Sequence, residues 1–191
     1  MIHINKNSLS TDQFYLKELS EKHINNNYLS WLHDKEVTGF LEMRDENYSL
    51  GDLRNYYESF INNDTKYLFG VFTKNDHTHI GNTSIIDIDK KNNTCGWGYL
   101  IGDKNYWGTN AGRDTIYLTL KFCFDTLNIR KIFGGAYSNH IRAQFNLLKC
   151  GFEEEGILKE KYYHEDKLVD EIIYSMTKDK WEKIKIKLNI N

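Results

Sequence analysis

The sequence predicts one α+β domain built on a mixed, mostly antiparallel sheet flanked by helices, and three observations carry that expectation. Three short β-rich runs in the middle are joined by polar turns, a long amphipathic pattern follows them, and a strand, a helix and a hairpin close the order. The chain has 191 residues, 40 % hydrophobic and 27 % charged, enough for one continuous core. With no repeat, low-complexity tract or linker to divide it, residues 1–191 read as a single domain.

The elements follow in order. Residues 12–19, DQFYLKEL, alternate as an edge strand does, and Ile24, Tyr28, Trp31 and Leu32 then recur at helical spacing. Ser49 is placed to cap a second helix whose apolar face is Leu50, Leu53, Tyr57, Phe60 and Ile61. Residues 67–72, 79–88 and 94–101 form a three-strand meander, because KNDHT and DKKNN have the length that joins antiparallel neighbours. From Gly112 onward Ile116, Leu120, Cys123, Phe124 and Leu127 share a helical face, while Arg113, Asp114, Lys121 and Asp125 point elsewhere. KIFGGAY, 131–137, is a strand parallel to the one before that helix. Asn139 is a natural N-cap for a helix over 141–149 stopped near Gly151. Residues 162–164 and 168–176 flank EDK as a hairpin, and the basic KDKWEKIKIKLNIN reads as a docking end or a frayed tail.

Composition excludes several classes. The 25 Lys and Arg against 27 Asp and Glu give a formal charge of -2, which attracts no nucleic acid. Cys95, Cys123 and Cys150 lack any CxxC pairing, so they read as small buried hydrophobes instead of a zinc site or disulfide framework. His77 and His79 have strand-ligand spacing but no third ligand nearby, so no metal is expected. No apolar run has signal-peptide or membrane-span length, and a cytoplasmic protein without a membrane partner is expected; a homodimer is open to it.

The stretch NYWGTNAGRD, 105–114, joins an apolar strand to the amphipathic helix. Its glycines, Gly108 and Gly112, let backbone N–H groups converge where the helix dipole is positive, which suits a diphosphate. A tight turn and helix start is the alternative reading, since the spacing is neither GxGxxG nor a GK[ST] loop.

YLIGDKNYWGTNAGRDT before the helix, and AYSNHIRAQFNLLKCGFEEEG after the next strand, resemble the GNAT superfamily of N-acetyltransferases. The likeness runs from about residue 13 to 181. Within the superfamily the chain is most similar to the branch of ribosomal-protein N-terminal and amino-sugar acetyltransferases. The resemblance implies splayed central strands and acetyl-CoA as donor. The strand backbone at Tyr99, Leu100 and Ile101 would pair with pantetheine, as an added strand would. The turn from Trp107 through Gly108, Thr109, Asn110 and Ala111 to Gly112 would cradle the diphosphate. Arg113 either adds a phosphate contact or stands as a solvated charge. Asn139 would approach the pantetheine or its thioester.

The chain departs from the pattern in four places. Trp107 and Asn110 stand where Gln or Arg and Gly are common. Gly96 occupies the strand position of a frequent Glu or Asp base, and Leu147 that of a frequent Tyr acid. A water relay with proximity is then the expected chemistry, with Asn139 and Ser138 as the catalytic hydrogen-bonding groups. On the acceptor side Glu42 would orient an ammonium and Arg44 would grip a phosphate, or the two form a surface ion pair. Asp87 is a further carboxylate leaving the middle strand, and Asp170 fits a position often acidic in relatives. The function implied is transfer of acetyl from acetyl-CoA to a primary amine of a small molecule, first a nucleotide-linked amino sugar. A protein N-terminus or a polyamine is the alternative acceptor, and a catalytically silent acyl-CoA-binding module the alternative class.

Overall fold

A computed structural model describes residues 9–42 and 47–188. Strand β1 (Phe14–Glu18) leads through a 3-10 turn into α1 (Asn26–His33), then come α2 (Lys35–Thr38) and α3 (Leu50–Glu58). The meander is β2 (Tyr67–Thr73), β3 (His79–Asp89) and β4 (Thr94–Ile101). After it come α4 (Ala111–Lys121), β5 (Lys131–Tyr137), α5 (Ile141–Lys149), β6 (Glu153–His164), β7 (Lys167–Thr177) and α6 (Lys178–Leu188). The seven strands lie in the order β1-β2-β3-β4-β5-β7-β6, and every neighbouring pair is antiparallel except β4–β5. The mixed, mostly antiparallel sheet expected from the sequence is therefore present.

Two apolar clusters clamp the sheet. One gathers Ile116, Leu120 and Phe124 from and beyond α4 with Trp181 of α6 against Ile85, Cys95 and Ile132 of the strands. The other packs Tyr28, Trp31 and Leu32 of α1 and Leu53 of α3 against Leu68 and Phe72. All three cysteines are buried and free. Among the described residues no helix is long and apolar enough to cross a membrane.

Local chemistry explains the boundaries. Ser49 caps α3 and exchanges bonds with Asp52 in a capping box. Gly151, at φ 91°, ends α5: its N–H reaches Leu148 O at 3.0 Å, and Phe152 N reaches Leu147 O at 3.0 Å, the two bonds of a Schellman stop. Glu165 and Asp166, at φ 50° and 59°, make the two-residue turn that favours right-handed strand twist.

Several expectations need correction. His140, not Asn139, is the cap residue of α5, and no side chain caps that helix. Asp114, set off the apolar face by the sequence, is 8 % exposed and accepts a bond from Thr11 Oγ1 at 2.7 Å. The helix after Gly112 widens into a π turn at Phe122–Thr126. Strand β6 begins nine residues before the expected 162, at Glu153, and α2 was not foreseen. Of the two readings of the C-terminal segment the docking end holds: it packs as a helix through Trp181, which is fully buried and donates to Asp125 at 3.0 Å.

Candidate functional site

Strands β4 and β5 pair only at Thr94–Lys131, Cys95–Ile132 and Gly96–Phe133. Beyond Gly96 they diverge, and a cleft of about 500 Å³ opens between Trp97–Ile101 on one side and Gly134–Tyr137 on the other. Its walls are kept low by glycine. A Cβ at Gly98 would meet nothing within 4 Å, whereas one at Gly134 would already lie 3.0 Å from Trp97 O. Trp97 Nε1 is buried beside Gly134 with no acceptor among the described residues.

The turn after β4 closes one end. Trp107 donates from Nε1 to Ile101 O at 2.7 Å, and the Arg142 guanidinium lies 5.3 Å over its ring, a cation–π distance. Gly108 supplies the left-handed residue of this turn at φ 76°. Asn110, where Gly is common, adopts the right-handed helical region with φ -75° and so needs no glycine. Ala111 N is bonded to Thr109 Oγ1 at 3.2 Å, and the first α4 donor with a main-chain acceptor is Asp114 N, bonded to Asn110 O at 2.8 Å. The N–H groups of Gly108, Asn110, Gly112 and Arg113 have no acceptor among the described residues. Such a cluster at a helix start attracts anions.

Tyr99, Leu100, Ile101, Trp107, Gly108 and Thr109 all line the cleft, as do Gly112 and Asn139. Asn110, Ala111 and Arg113 do not. Ala111 is wholly buried, Asn110 is exposed, and Arg113 lies 3.8 Å from Asp114. Ser138 is outside the lining; its N–H goes to Asp170 O at 2.9 Å. Leu147 does line the cleft, and beside it Asn146 Nδ2 reaches Tyr99 OH at 3.5 Å.

The wall around Tyr137 is aromatic and carboxylate-rich. Phe40 is stacked between His140 at 4.0 Å and His164 at 4.7 Å, and Tyr137 stacks on Tyr162 at 4.3 Å. Asn139 Nδ2 sits 3.0 Å from His164 Nδ1. Burial, with Arg142 and His164 nearby, pulls the His140 imidazole down to about 4. Glu42 accepts a bond from Tyr162 OH, so it belongs to this wall, although it is exposed. Arg44 lies outside the described residues. Asp87 is exposed on the irregular end of β3, in the register shift opposite the start of β4, and does not line the cleft.

Sequence reasoning missed Glu171. It is 8 % exposed, holds Lys161 Nζ at 2.6 Å and lies 3.2 Å from Tyr162 OH. The available signal was Gly135, a mid-strand glycine of the kind that marks a close approach: Glu171 crosses it. Asp170 turns the other way, to Lys159 at 2.8 Å and Glu160 N at 2.9 Å.

Residues 13–153 match the family model described as Acetyltransferase (GNAT) domain. The probable N-acetyltransferase YjcK of Bacillus subtilis (strain 168) is 29 % identical over 104 residues, covering 54 % of this chain and 57 % of its own length. The SPbeta prophage-derived uncharacterized N-acetyltransferase YokL of the same strain is 27 % identical over 134 residues, 70 % of this chain and 74 % of its own. Among solved structures, a spermidine N-acetyltransferase from Vibrio cholerae in complex with CoA and spermine has a TM-score of 0.82 at 21 % identity, covering 90 % of this chain and 99 % of that one. A putative acetyltransferase has a TM-score of 0.77, also at 21 % identity, covering 99 % and 95 %. Those two likenesses establish the shared fold.

Proposed function

The chain belongs to the GNAT acetyltransferase family, and from that premise we propose that it moves acetyl from acetyl-CoA to the primary amine of a small cationic molecule. The observation that carries this reading is the divergence of β4 and β5 after Gly96 into a cleft floored by glycine and ended by unpaired helix N–H groups. These features fit the donor. Acetyl-CoA supplies an acetyl group already activated as a thioester.

In this reading the edge of β4 at Tyr99, Leu100 and Ile101 satisfies the pantetheine amides. The main chain of Gly108, Thr109, Asn110, Ala111, Gly112 and Arg113 takes the diphosphate, with the Arg113 and Arg142 charges nearby. Asn139 stands at the acyl end, where its amide orients the reacting groups. Ser138 is the weaker candidate, because its backbone is tied to Asp170 and it lies off the cleft.

Carboxylates at Glu42 and Glu171 beside stacked aromatic rings favour an ammonium-bearing acceptor, so a polyamine ranks first. The neighbour that holds CoA and spermine is a precedent for that class in this fold. The nucleotide-linked amino sugar depended on Arg44 gripping phosphate, and the described residues add nothing to it. Incubation with acetyl-CoA and separate spermidine, UDP-linked amino sugar and peptide acceptors, with free thiol measured, decides the matter. Thiol release with spermidine is expected. Coenzyme binding without thiol release for any amine leaves an acyl-CoA-binding module, and absence of coenzyme binding overturns the reading.

A further inference from the structure

An ammonium must lose a proton before its nitrogen can attack a thioester, and Gly96 offers no carboxylate from β4 for that purpose. Strand β7 brings one to the opposite wall. Glu171 stands across from Tyr137 in the β5–β7 ladder, and its side chain lies so close along β5 that a Cβ built on Gly135 would fall 1.8 Å from Oε1. Gly135 is exposed and lines the cleft, and Oε1 lies directly against it, although Glu171 itself is buried and stands behind the lining residues.

The two oxygens have different surroundings. Oε2 accepts from Lys161 Nζ at 2.6 Å, an ion pair that fixes the position of the carboxylate. Oε1 lies 3.2 Å from Tyr162 OH, but the phenol has one proton and makes a shorter bond with Glu42. Burial first, then the two carboxylates, push the Tyr162 phenol well above its ordinary range, so it remains a donor at neutral pH. Oε1 therefore keeps a lone pair for an incoming N–H.

We propose that Glu171, through Oε1, takes the acceptor's proton in place of the carboxylate that position 96 lacks. This rests on the acetyltransferase reading and adds its base. Two protons leave the acceptor nitrogen in one turnover. One N–H bond breaks toward Glu171, and that proton passes on to solvent. The freed pair forms the C–N bond while the C–S pair departs with sulfur, and the second N–H proton neutralises the thiolate. Lys161 and Tyr162 act as positioning residues, and Asp170 braces the β6 bulge without taking part.

The test is Glu171→Gln beside Asp170→Asn, each with a pH profile and coenzyme A titration. Glu171→Gln should lower kcat/KM at least about 100-fold and flatten the acid limb, with coenzyme affinity within twofold of wild type. Asp170→Asn should stay within threefold. A wild type that acetylates while Glu171→Gln keeps its rate and profile overturns the proposal and leaves acetyl transfer standing. An independent readout uses the coenzyme-free protein. The Glu171 side-chain carboxyl ¹³C resonance should shift with n-propylammonium chloride beyond a sodium chloride control; a resonance that only tracks the control overturns the assignment even if no acceptor turns over.

Discussion

Gly98 and Gly112 line the same cleft, yet each would answer a side chain differently. At Gly98 a Cβ meets nothing within 4 Å, so Gly98→Val adds bulk to the cleft without touching the core, in a strand where a β-branched residue is at home. Its melting temperature should stay within about 2 °C of wild type, since surface changes are usually near neutral. Coenzyme affinity, read by calorimetry, should fall at least tenfold, about 1.4 kcal/mol. Unchanged affinity would mean that this wall does not face the donor. At Gly112 the new Cβ would lie 3.3 Å from Asn146 Nδ2 and 3.6 Å from the Tyr99 ring, so the neighbours must give slightly. Gly112→Val should therefore weaken the coenzyme by a similar factor and also disturb the Asn146–Tyr99 contact, moving KM for donor and acceptor together. Donor affinity equal to wild type would remove the diphosphate from the start of α4.

At the level of elements, strong periods were legible and exposed or short segments were not. The face of α4 could be read because it is buried against a defined cluster, and the meander because its β-rich runs, buried at most positions of β2 and the first half of β3, are separated by polar turns. Most of β6 could not be, since it is the sheet's edge and is exposed at nearly every position from Glu153 to Lys161, leaving no alternation to detect. Four residues of α2 are too few to show a helical period. The turn from Trp107 to Gly112 was visible because glycine and a following helix mark it. Glu171 stayed hidden because which of two adjacent acids turns toward Gly135 depends on strand register, and the β6–β7 register shifts between Leu158 and Tyr162. The Gly151 stop was read from sequence and makes a firm prediction. Any side chain there must hold φ 91°, and its Cβ would fall 2.3 Å from Ile184 Cδ1 of α6. Gly151→Ala should cost at least about 1–2 kcal/mol, lowering the melting temperature by roughly 3 °C or more. An equal or higher melting temperature would show that α5 and α6 can part without penalty.

Across the whole molecule, the elements that shape the acceptor side are joined by histidines that fold in their neutral form. His140, at the start of α5, stacks on Phe40 and is pulled to about 4 by burial, Arg142 and His164; a positive charge there would also oppose the helix dipole. His23 is likewise pulled to about 4, first by burial and then by His79, and burial lowers His79 itself beside Trp31 and Phe72. In the unfolded chain these rings titrate near 6.5. Between 6.5 and about 4 the unfolded state thus binds more protons than the folded one, and stability rises with pH across that window. The contribution is complete above 6.5 and is lost as the pH falls toward 4. Carboxylates such as Asp34, Asp76 and Asp170, lowered by hydrogen bonds and lysine partners, act only below their ordinary 3.8, so the two effects separate. Thermal melts should therefore fall steadily from pH 7 to pH 5, before any carboxylate term begins. His140→Phe should shallow that slope while keeping the stack on Phe40, and its effect should be confined to this range because the ring was solvent-accessible only in part. A wild-type melting temperature that is flat from pH 7 to 5 would show that these imidazoles titrate alike in the folded and unfolded chain, and the neutral His140 ring on Phe40 would have to be abandoned.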